Sequence, residues 1–461
     1  MIARILLACQ LSLMSLAAAE RPNIIFLFAD DWGWGDLSCH GHPYVRTPHI
    51  DRLAKEGTDF QRFTVASGVC SPSRAAVMTG QFPARRNIDG HFAWVPQNEK
   101  RGMPDWLAVD APSLPRFLRQ AGYRTAHYGK WHLSNDMIPD SPTPSAYGYD
   151  DYGAFNCSGE QMPWHEDASR AVAFIEESLR QAKPFFINVW LHEPHTPFHT
   201  VPKYERRFQH LPERGDQIYA SVLSHADDRI GRILDALDRL KIAEDTLVIF
   251  SSDNGPARGS GKEPLALSYD TATGAGWDIA ASKGVTGGRR GHKASLFEGG
   301  IGVPFLARWP GRIAPGKIDA TSLVSAVDLL PTFCALAGAD LPADYAPDGI
   351  SIVEVLKGRT LPVREKPLFW KIDAAWPAQK GKPDHWVAWA VVSGHWKLAA
   401  NHDLSHVRLY DIAKDLGEDT DLKSAHPEVA AELLTRLKAW QATLPDKPTG
   451  AVFSELRGAG R

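Results

Sequence analysis

Beyond its first twenty residues the chain has no run approaching the ~20 apolar residues that a membrane-crossing helix needs. The mature protein is therefore expected to lack a transmembrane segment. Sulfur is also scarce. Of five cysteines, Cys9 lies in a leader-like segment, and Cys39, Cys70, Cys157 and Cys334 are too few to staple an exported chain of 461 residues. Stability must come from core burial, for which 44% hydrophobic content is ample. Neither sign of charge is in excess, the formal net charge being -3, so no whole-protein field draws in nucleic acid or an anionic membrane. Internal repeats and low-complexity tracts are missing as well.

The first residues, MIARILLACQLSLMSLAAAE, place Arg4 before an apolar run that ends in Ala17-Ala18-Ala19. This is the layout of a secretory signal peptide over residues 1–19, with the mature chain starting near Glu20 in the periplasm or outside the cell. A lipid anchor at Cys9 is the lesser reading, because the apolar stretch before that cysteine is very short. Asn156-Cys157-Ser158 matches a glycosylation acceptor, relevant only in a host that glycosylates.

Three runs, NIIFLFAD (23–30), PFFINVWLH (184–192) and TLVIFSSD (246–253), are rich in Ile, Val and Phe without polar alternation, as in strands buried inside a parallel sheet. VPFLARWP (303–310) reads as a further strand of that kind. Helical patterns lie between them at 113–122, 167–182 and 216–240; in the last, Ile218, Val222, Ala226, Ile230, Ile233, Leu234 and Leu237 recur at helical spacing. The alternation predicts an α/β sandwich with helices on both faces of the sheet. Composition changes after Gly338. PLFWKI, HWVAWAVVSGHWKLAA and VRLYDIAKD then read as antiparallel strands and HPEVAAELLTRLKAWQATL as a closing helix. The expected organisation is a catalytic domain over residues 20–349 and a smaller C-terminal α+β domain over 350–461. Cys334, in an apolar helical stretch, is expected to be a buried inert thiol.

Two of the proposed strands end in acids, Asp30-Asp31 and Asp253-Asn254. Ligands of open α/β sheets bind beyond the carboxyl ends of strands, so four oxygen donors converge on one edge. Each pair alone reads as a turn or helix cap. Together, without histidine or thiolate, they favour a hard cation, Ca²⁺ or Mg²⁺. In GVCSPSRAAVMTG (68–80), Pro72 suits a first helical turn and the residues after it suit a helix. Cys70 is thereby placed at a helix N-terminus, where negative charge is favoured, with Arg74 one turn along. A hard ion matches an oxygen nucleophile better than sulfur, which argues that the working atom at this position is not a thiolate.

CSPSR followed by AAVMTG resembles the CxPSR signature of the type I sulfatases, members of the alkaline phosphatase-like superfamily. ADDWGWGDLSCHG (29–41), TPHIDRLAKEGTDF (47–60), GYRTAHYGKWHL (122–133), EPHTP (193–197), FSSDNGP (250–256) and GHKASLFEGGIGVPFLARWPG (291–311) agree with that family in order and spacing. The match runs from about Pro22 to LYDIAKDLGEDTDL near residue 422. The resemblance implies an alkaline phosphatase-like α/β/α sandwich. It also implies that a maturation enzyme oxidises Cys70 to formylglycine, whose aldehyde hydrates to a diol. Asp30, Asp31, Asp253, Asn254 and the modified Cys70 would hold the cation. Arg74 would stabilise the diol, Lys130 would bind sulfate, His132 would bind the diol, and His195 and Lys293 would contact the transferring sulfate and the leaving oxygen. His127, His192, His199 and His292 are left outside this set.

The implied activity is hydrolysis of carbohydrate sulfate esters, exo-acting on a sulfated polysaccharide or oligosaccharide with a galactose- or hexosamine-type sugar. Two alternatives remain open: a phosphate or phosphonate ester hydrolase of the same superfamily, and a noncatalytic glycan-binding relative. Residues 83–106 and 158–167 carry aromatic and charged side chains suited to a saccharide, and equally to solvated loops. Many members of the family have arginine where this chain has Gly302. That implies a structural or substrate-side difference rather than loss of activity.

Overall fold

The three uniformly apolar runs become adjacent strands at the centre of one sheet. The computed structural model describes residues 21–159, 161–259, 266–270, 274–277, 282–372 and 386–458. The expected signal peptide, residues 1–19, lies outside them. The sheet is built from β1 (Asn23–Ala29), β2 (Thr58–Phe60), β3 (Arg124–Lys130), β4 (Asp151–Phe155), β5 (Phe185–Trp190), β6 (Thr246–Ser252), β7 (Phe305–Arg308) and β8 (Lys317–Asp319). Their spatial order is β8-β2-β7-β6-β1-β5-β3-β4. Every residue of β1, β5 and β6 is buried, so these strands carry no polar face to alternate with the apolar one.

β1 runs parallel to both neighbours, with Leu27 opposite Val189 of β5 and Phe250 of β6. The strand expected at 303–310 is present but belongs to no parallel pair, because β7 is antiparallel to β6 and to β2. Phe305 lies opposite Ser251, near the carboxyl end of β6, and Arg308 lies opposite Val248. The preceding loop has brought the chain to that edge of the sheet, and the strand can only run back from it.

Seven helices complete the description needed here: α1 (Pro48–Glu56), α2 (Cys70–Thr79), α3 (Leu114–Gln120), α4 (Asp167–Arg180), α5 (Arg214–Arg239), α6 (Leu329–Ala337) and α7 (Pro427–Gln441). Successive β1 side chains point to opposite faces. Ile24, Phe26 and Phe28 share a core with apolar residues of α2, α3 and α6. Ile25, Leu27 and Ala29 share another with α1, α4 and α5. The seven apolar positions predicted along α5 are all buried, which accounts for a long amphipathic helix packed against the sheet. The result is the expected α/β/α sandwich.

Past residue 350, β9 (Leu368–Lys371), β10 (Trp389–Ser393), β11 (Trp396–Ala400) and β12 (Val407–Asp411) form an antiparallel sheet in chain order. Against it packs α7, whose Trp440 stacks on Phe369 with ring centroids 4.9 Å apart. This small sheet and α7 belong to the same apolar cluster as α2, α3 and α6, so burial is continuous from one sheet to the other. Cys334 is buried and unpaired in α6, and Cys39, Cys70 and Cys157 are likewise free thiols.

Candidate active site

The ten residues singled out in the sequence meet at the carboxyl edge of β1, β3 and β6. Asp30 and Asp31 follow β1, and Asp253 and Asn254 follow β6; all four are buried. Asp31 sits at φ 65° and His132, two residues past β3, at φ 51°. Both are non-glycine residues in the left-handed region, a conformation that surrounding bonds must hold. For Asp31 one such bond is its own N–H donating to Asp253 Oδ1 at 3.3 Å.

Helix α2 begins at Cys70, as its sequence predicts, and all ten of its residues are buried. That places the thiol at a helix N-terminus inside the protein. Burial pushes its pKa up to about 11, against the pull of Lys130, so at neutral pH it is a thiol and a poor nucleophile. Arg74 donates to Asp253 Oδ2 through Nε (3.0 Å) and Nη2 (2.7 Å), and to the Lys130 carbonyl through Nη1 (2.9 Å). Its Nη2 also lies 3.5 Å from Asp30 Oδ2. Lys130 donates to Asp30 Oδ2, and Lys293 to Asp31 Oδ2 at 2.7 Å.

Three carboxylates therefore face three fixed cations. Burial and the Asp30 charge push Asp253 up to about 7, and Arg74 opposes them. Burial raises Asp31 too, with Lys293 opposing. Asp30 goes the other way: burial works against its ionised form, but Lys130, His195, Arg74 and Lys293 together hold it well below the usual carboxylate range.

Two buried oxygens of this set have no hydrogen-bond partner, Asp30 Oδ1 and Asn254 Oδ1. The Asn254 amide nitrogen is committed to Asp31 Oδ1 (2.7 Å) and the Gly255 carbonyl (2.9 Å), which leaves its oxygen as a free acceptor. Single ligand atoms of Asp30, Cys70 and Asp253 lie within 4.8 Å of one another. Buried acceptors left unpaired are costly unless something satisfies them, and the oxygens of Asp30, Asp31, Asp253 and Asn254 fit a hard divalent cation. With such an ion the set becomes net positive, which suits an anionic ester.

The histidines are oriented by carbonyls. His132 Nε2 lies 3.0 Å from the Phe92 carbonyl, and His195 Nδ1 lies 2.6 Å from that of Thr196. A carbonyl only accepts, so these nitrogens carry the protons and the opposite ones, His132 Nδ1 and His195 Nε2, are acceptors in the neutral rings. His132 Nδ1 is buried without a partner. Burial, followed by the nearby lysine charge, holds both imidazoles well below their usual pKa.

The loop carrying Lys293 is clamped to the loop that carries Asp253 and Asn254. Gly255 N–H donates to the Gly300 carbonyl at 2.8 Å and Lys293 N–H to Pro256 at 3.0 Å. A Cβ at Gly255 would fall 1.8 Å from the Gly299 carbonyl oxygen, so only glycine permits this approach. At Gly302 a Cβ would meet Glu298 at 2.8 Å. The Glu298 carboxylate receives its cation from Lys397 of β11 at 2.8 Å, and Glu418 joins that pair at 2.9 Å.

Sequence reasoning passed over two parts of the site. Arg229 of α5, fully buried, donates to both Glu193 oxygens and pairs with Asp167 at 3.0 Å, anchoring the EPHTP loop that presents His195; nothing in the charged stretch around it marks it out. His192, outside the expected set, lines the same cavity as Lys130, His132 and His195. The stretch at 83–106 supports the site through Phe92, whose N–H donates to Ser71 Oγ at 3.0 Å and whose carbonyl orients His132.

A mixed eight-stranded sheet flanked by helices, with this polar cluster at its carboxyl edge, is the architecture of the alkaline phosphatase-like hydrolases. The crystal structure of Ps i-CgsB in complex with k-i-k-neocarrahexaose superposes with a TM-score of 0.76 over 95% of this chain and 96% of that one, at 24% identity. Within that class, residues 22–339 match the Sulfatase family and residues 291–443 match the family described as N-sulphoglucosamine sulphohydrolase, C-terminal. The chain belongs to the sulfatase family and is a sulfuric ester hydrolase. Arylsulfatase A of Homo sapiens is 32% identical over 92% of this chain and 88% of its own length. N-acetylgalactosamine-6-sulfatase of Homo sapiens is 32% identical over 77% of this chain and 69% of its own length.

Proposed function

We propose that this protein is an exported, exo-acting hydrolase of carbohydrate sulfate esters, working through formylglycine made from Cys70. One observation carries the reading. A buried thiol that is not ionised at neutral pH stands beside an oxygen-ligand set with two unsatisfied oxygens and three fixed cations. Support for a sugar substrate comes from the relative named N-acetylgalactosamine-6-sulfatase. An adjoining cavity of about 430 Å³ has the size of a small-ligand site, which suits a chain end. Export rests on the leader-like residues 1–19.

Asp30, Asp31, Asp253, Asn254 and the modified side chain of residue 70 are the ligands for Ca²⁺ or Mg²⁺. When bound, such an ion would supply positive charge for the sulfate oxygens and would lower the pKa of one hydroxyl of a hydrated residue 70, whose second hydroxyl would let sulfate depart. The chain's own groups do the rest. Lys130 and Lys293 present ammonium groups to the delocalised charge of the sulfate. Arg74, held by Asp253, fixes the position of residue 70. His132 Nδ1 is an open acceptor for a hydroxyl of residue 70. His195 Nε2 is the nitrogen free to exchange a proton with the leaving oxygen. Burial and the neighbouring lysines hold its pKa well below the usual range, so the ring enters the reaction neutral and must first take up a proton at Nε2 before giving it to the leaving alkoxide.

Protein co-produced with a formylglycine-generating enzyme tests this reading. With 4-nitrophenyl sulfate and 4-nitrophenyl phosphate compared at steady state, kcat/KM is expected to favour the sulfate by at least about tenfold, with sulfate also released from monosulfated hexoses or hexosamines. A preference for phosphorus, or no release from any sulfated sugar, rejects it.

A further inference from the structure

The cavity beside the sulfate site is lined by two chemically different sets of residues. Lys130, His132 and His195 form one of them, and Lys130 there is already paired with Asp30. The other set is Asp136, Asn156, Gln161, Pro163 and Trp164. Among the described residues, no lysine or arginine other than Lys130 lines this cavity. The second set thus offers one exposed carboxylate, two amides and an apolar surface. The Gln161 amide nitrogen is bonded back to the Cys157 carbonyl at 2.8 Å, which leaves its oxygen as the available polar atom.

His192 lies beside members of both sets, its ring 3.9 Å from that of Trp164 and 5.7 Å from that of His195. Its Nε2 lies 3.1 Å from the Pro197 carbonyl, so that nitrogen is the donor and Nδ1 is an acceptor. Nδ1 is buried without a hydrogen-bond partner. Ligand atoms of His192, His195 and Asp30 lie within 4.8 Å of one another, which puts this imidazole next to the reacting ester. Trp164 packs on the ring at 3.9 Å between centroids and fixes its plane. Burial keeps it neutral, its pKa pushed down to about 4. An unsatisfied neutral acceptor at this depth matches a hydroxyl donor and repels an anionic oxygen.

Resting on the sulfatase reading above, we propose that Asp136, Gln161, Trp164 and His192 form the leaving-group subsite, and that it selects an uncharged, singly sulfated sugar whose neighbouring hydroxyl donates to His192 Nδ1. The apolar face of the ring lies along Pro163 and Trp164. A second sulfate, or a carboxylate on the same ring, meets Asp136 and the lone pairs of Gln161 and His192 with no cation to balance it.

Sulfate release is measured for the matured protein on five compounds. These are 4-nitrophenyl sulfate, N-acetylglucosamine 6-sulfate, N-acetylgalactosamine 6-sulfate, and the doubly sulfated glucosamine 2-N,6-O-disulfate and N-acetylgalactosamine 4,6-disulfate. The aryl ester reports on the sulfatase reading separately, because it carries no sugar hydroxyl and no second charge. The better monosulfated sugar is expected to exceed its disulfated partner in kcat/KM by at least about tenfold. Asp136→Lys, at an exposed position, is expected to shrink that ratio by at least about fivefold. His192→Leu is expected to lower sugar turnover relative to aryl sulfate turnover by about tenfold, and His192→Asn, which keeps an acceptor, to recover part of it.

Equal turnover of single and double sulfates, a ratio unmoved by Asp136→Lys, or aryl sulfate cleavage with neither monosulfated sugar turned over overturns the subsite while leaving the sulfatase reading intact. No turnover of any of the five rejects both.

Discussion

Cys70→Ala, produced alongside a maturation enzyme, is expected to lose sulfate release from 4-nitrophenyl sulfate by on the order of 10⁴-fold. Its unfolding free energy is expected to stay within about 1 kcal/mol of the parent protein. The side chain is small, and the bond that closes α2 at its far end, Gly80 N–H donating to the Ala76 carbonyl, is left untouched. Everything lost is therefore chemistry at one atom. An unprocessed cysteine does not substitute for the modified residue, because burial keeps its thiol protonated and sulfur is a poor partner for a hard ion. Parallel measurements of sulfate release and urea unfolding separate the two effects.

Asp253→Ala is expected to have the largest effect on the fold as well as on catalysis. Arg74 has no solvent exposure, and Asp253 accepts two of its hydrogen bonds. Removing one partner of a buried ion pair costs up to about 3–5 kcal/mol, and here it leaves Arg74 with Asp30, 3.5 Å away, as its remaining carboxylate. The same change deletes a proposed cation ligand, so calcium-dependent stabilisation disappears with it. The titration of this carboxyl adds a pH signature. Its folded pKa of about 7 is raised above the ordinary 3.8, so the metal-free protein holds a proton there that the unfolded chain has already released. Above pH 4 this site therefore costs stability progressively, up to pH 7.

Ion binding must displace that proton. Calcium affinity is expected to weaken about tenfold per pH unit below 7, with close to one proton released per ion at pH 6. Calorimetric titration at pH 6 and pH 8 reads both quantities. Equal affinity at the two values, with no proton release, contradicts a protonated Asp253 at the ion site.

The sequence carried the centre of the molecule better than its edges. β1, β5 and β6 are legible because a strand covered on both faces must be apolar throughout, and their acidic ends stand out against that background. β3 is the reverse case. RTAHYGK is polar by composition and reads as a strand only once its partners are known: His127 is enclosed by the rings of Trp131, Tyr149 and Trp190, and Tyr128 donates to Asp151 of the next strand. The direction of β7 was also out of reach, since a short apolar run has no sense of its own and takes one from where the preceding loop delivers it. Motif residues such as Lys293 announced themselves through family resemblance. His192, Asp136 and Gln161 did not, because their shared role depends on three separate segments meeting around one cavity.

The most direct measurement is the mass of the peptide spanning Cys70, taken across preparations with graded maturation and set against sulfate release by the same samples. Turnover is expected to rise in proportion to the fraction in which residue 70 has lost one sulfur and two hydrogens and gained one oxygen, and to extrapolate to zero where that fraction is zero. Full turnover by a preparation whose Cys70 peptide keeps the unmodified mass contradicts the account.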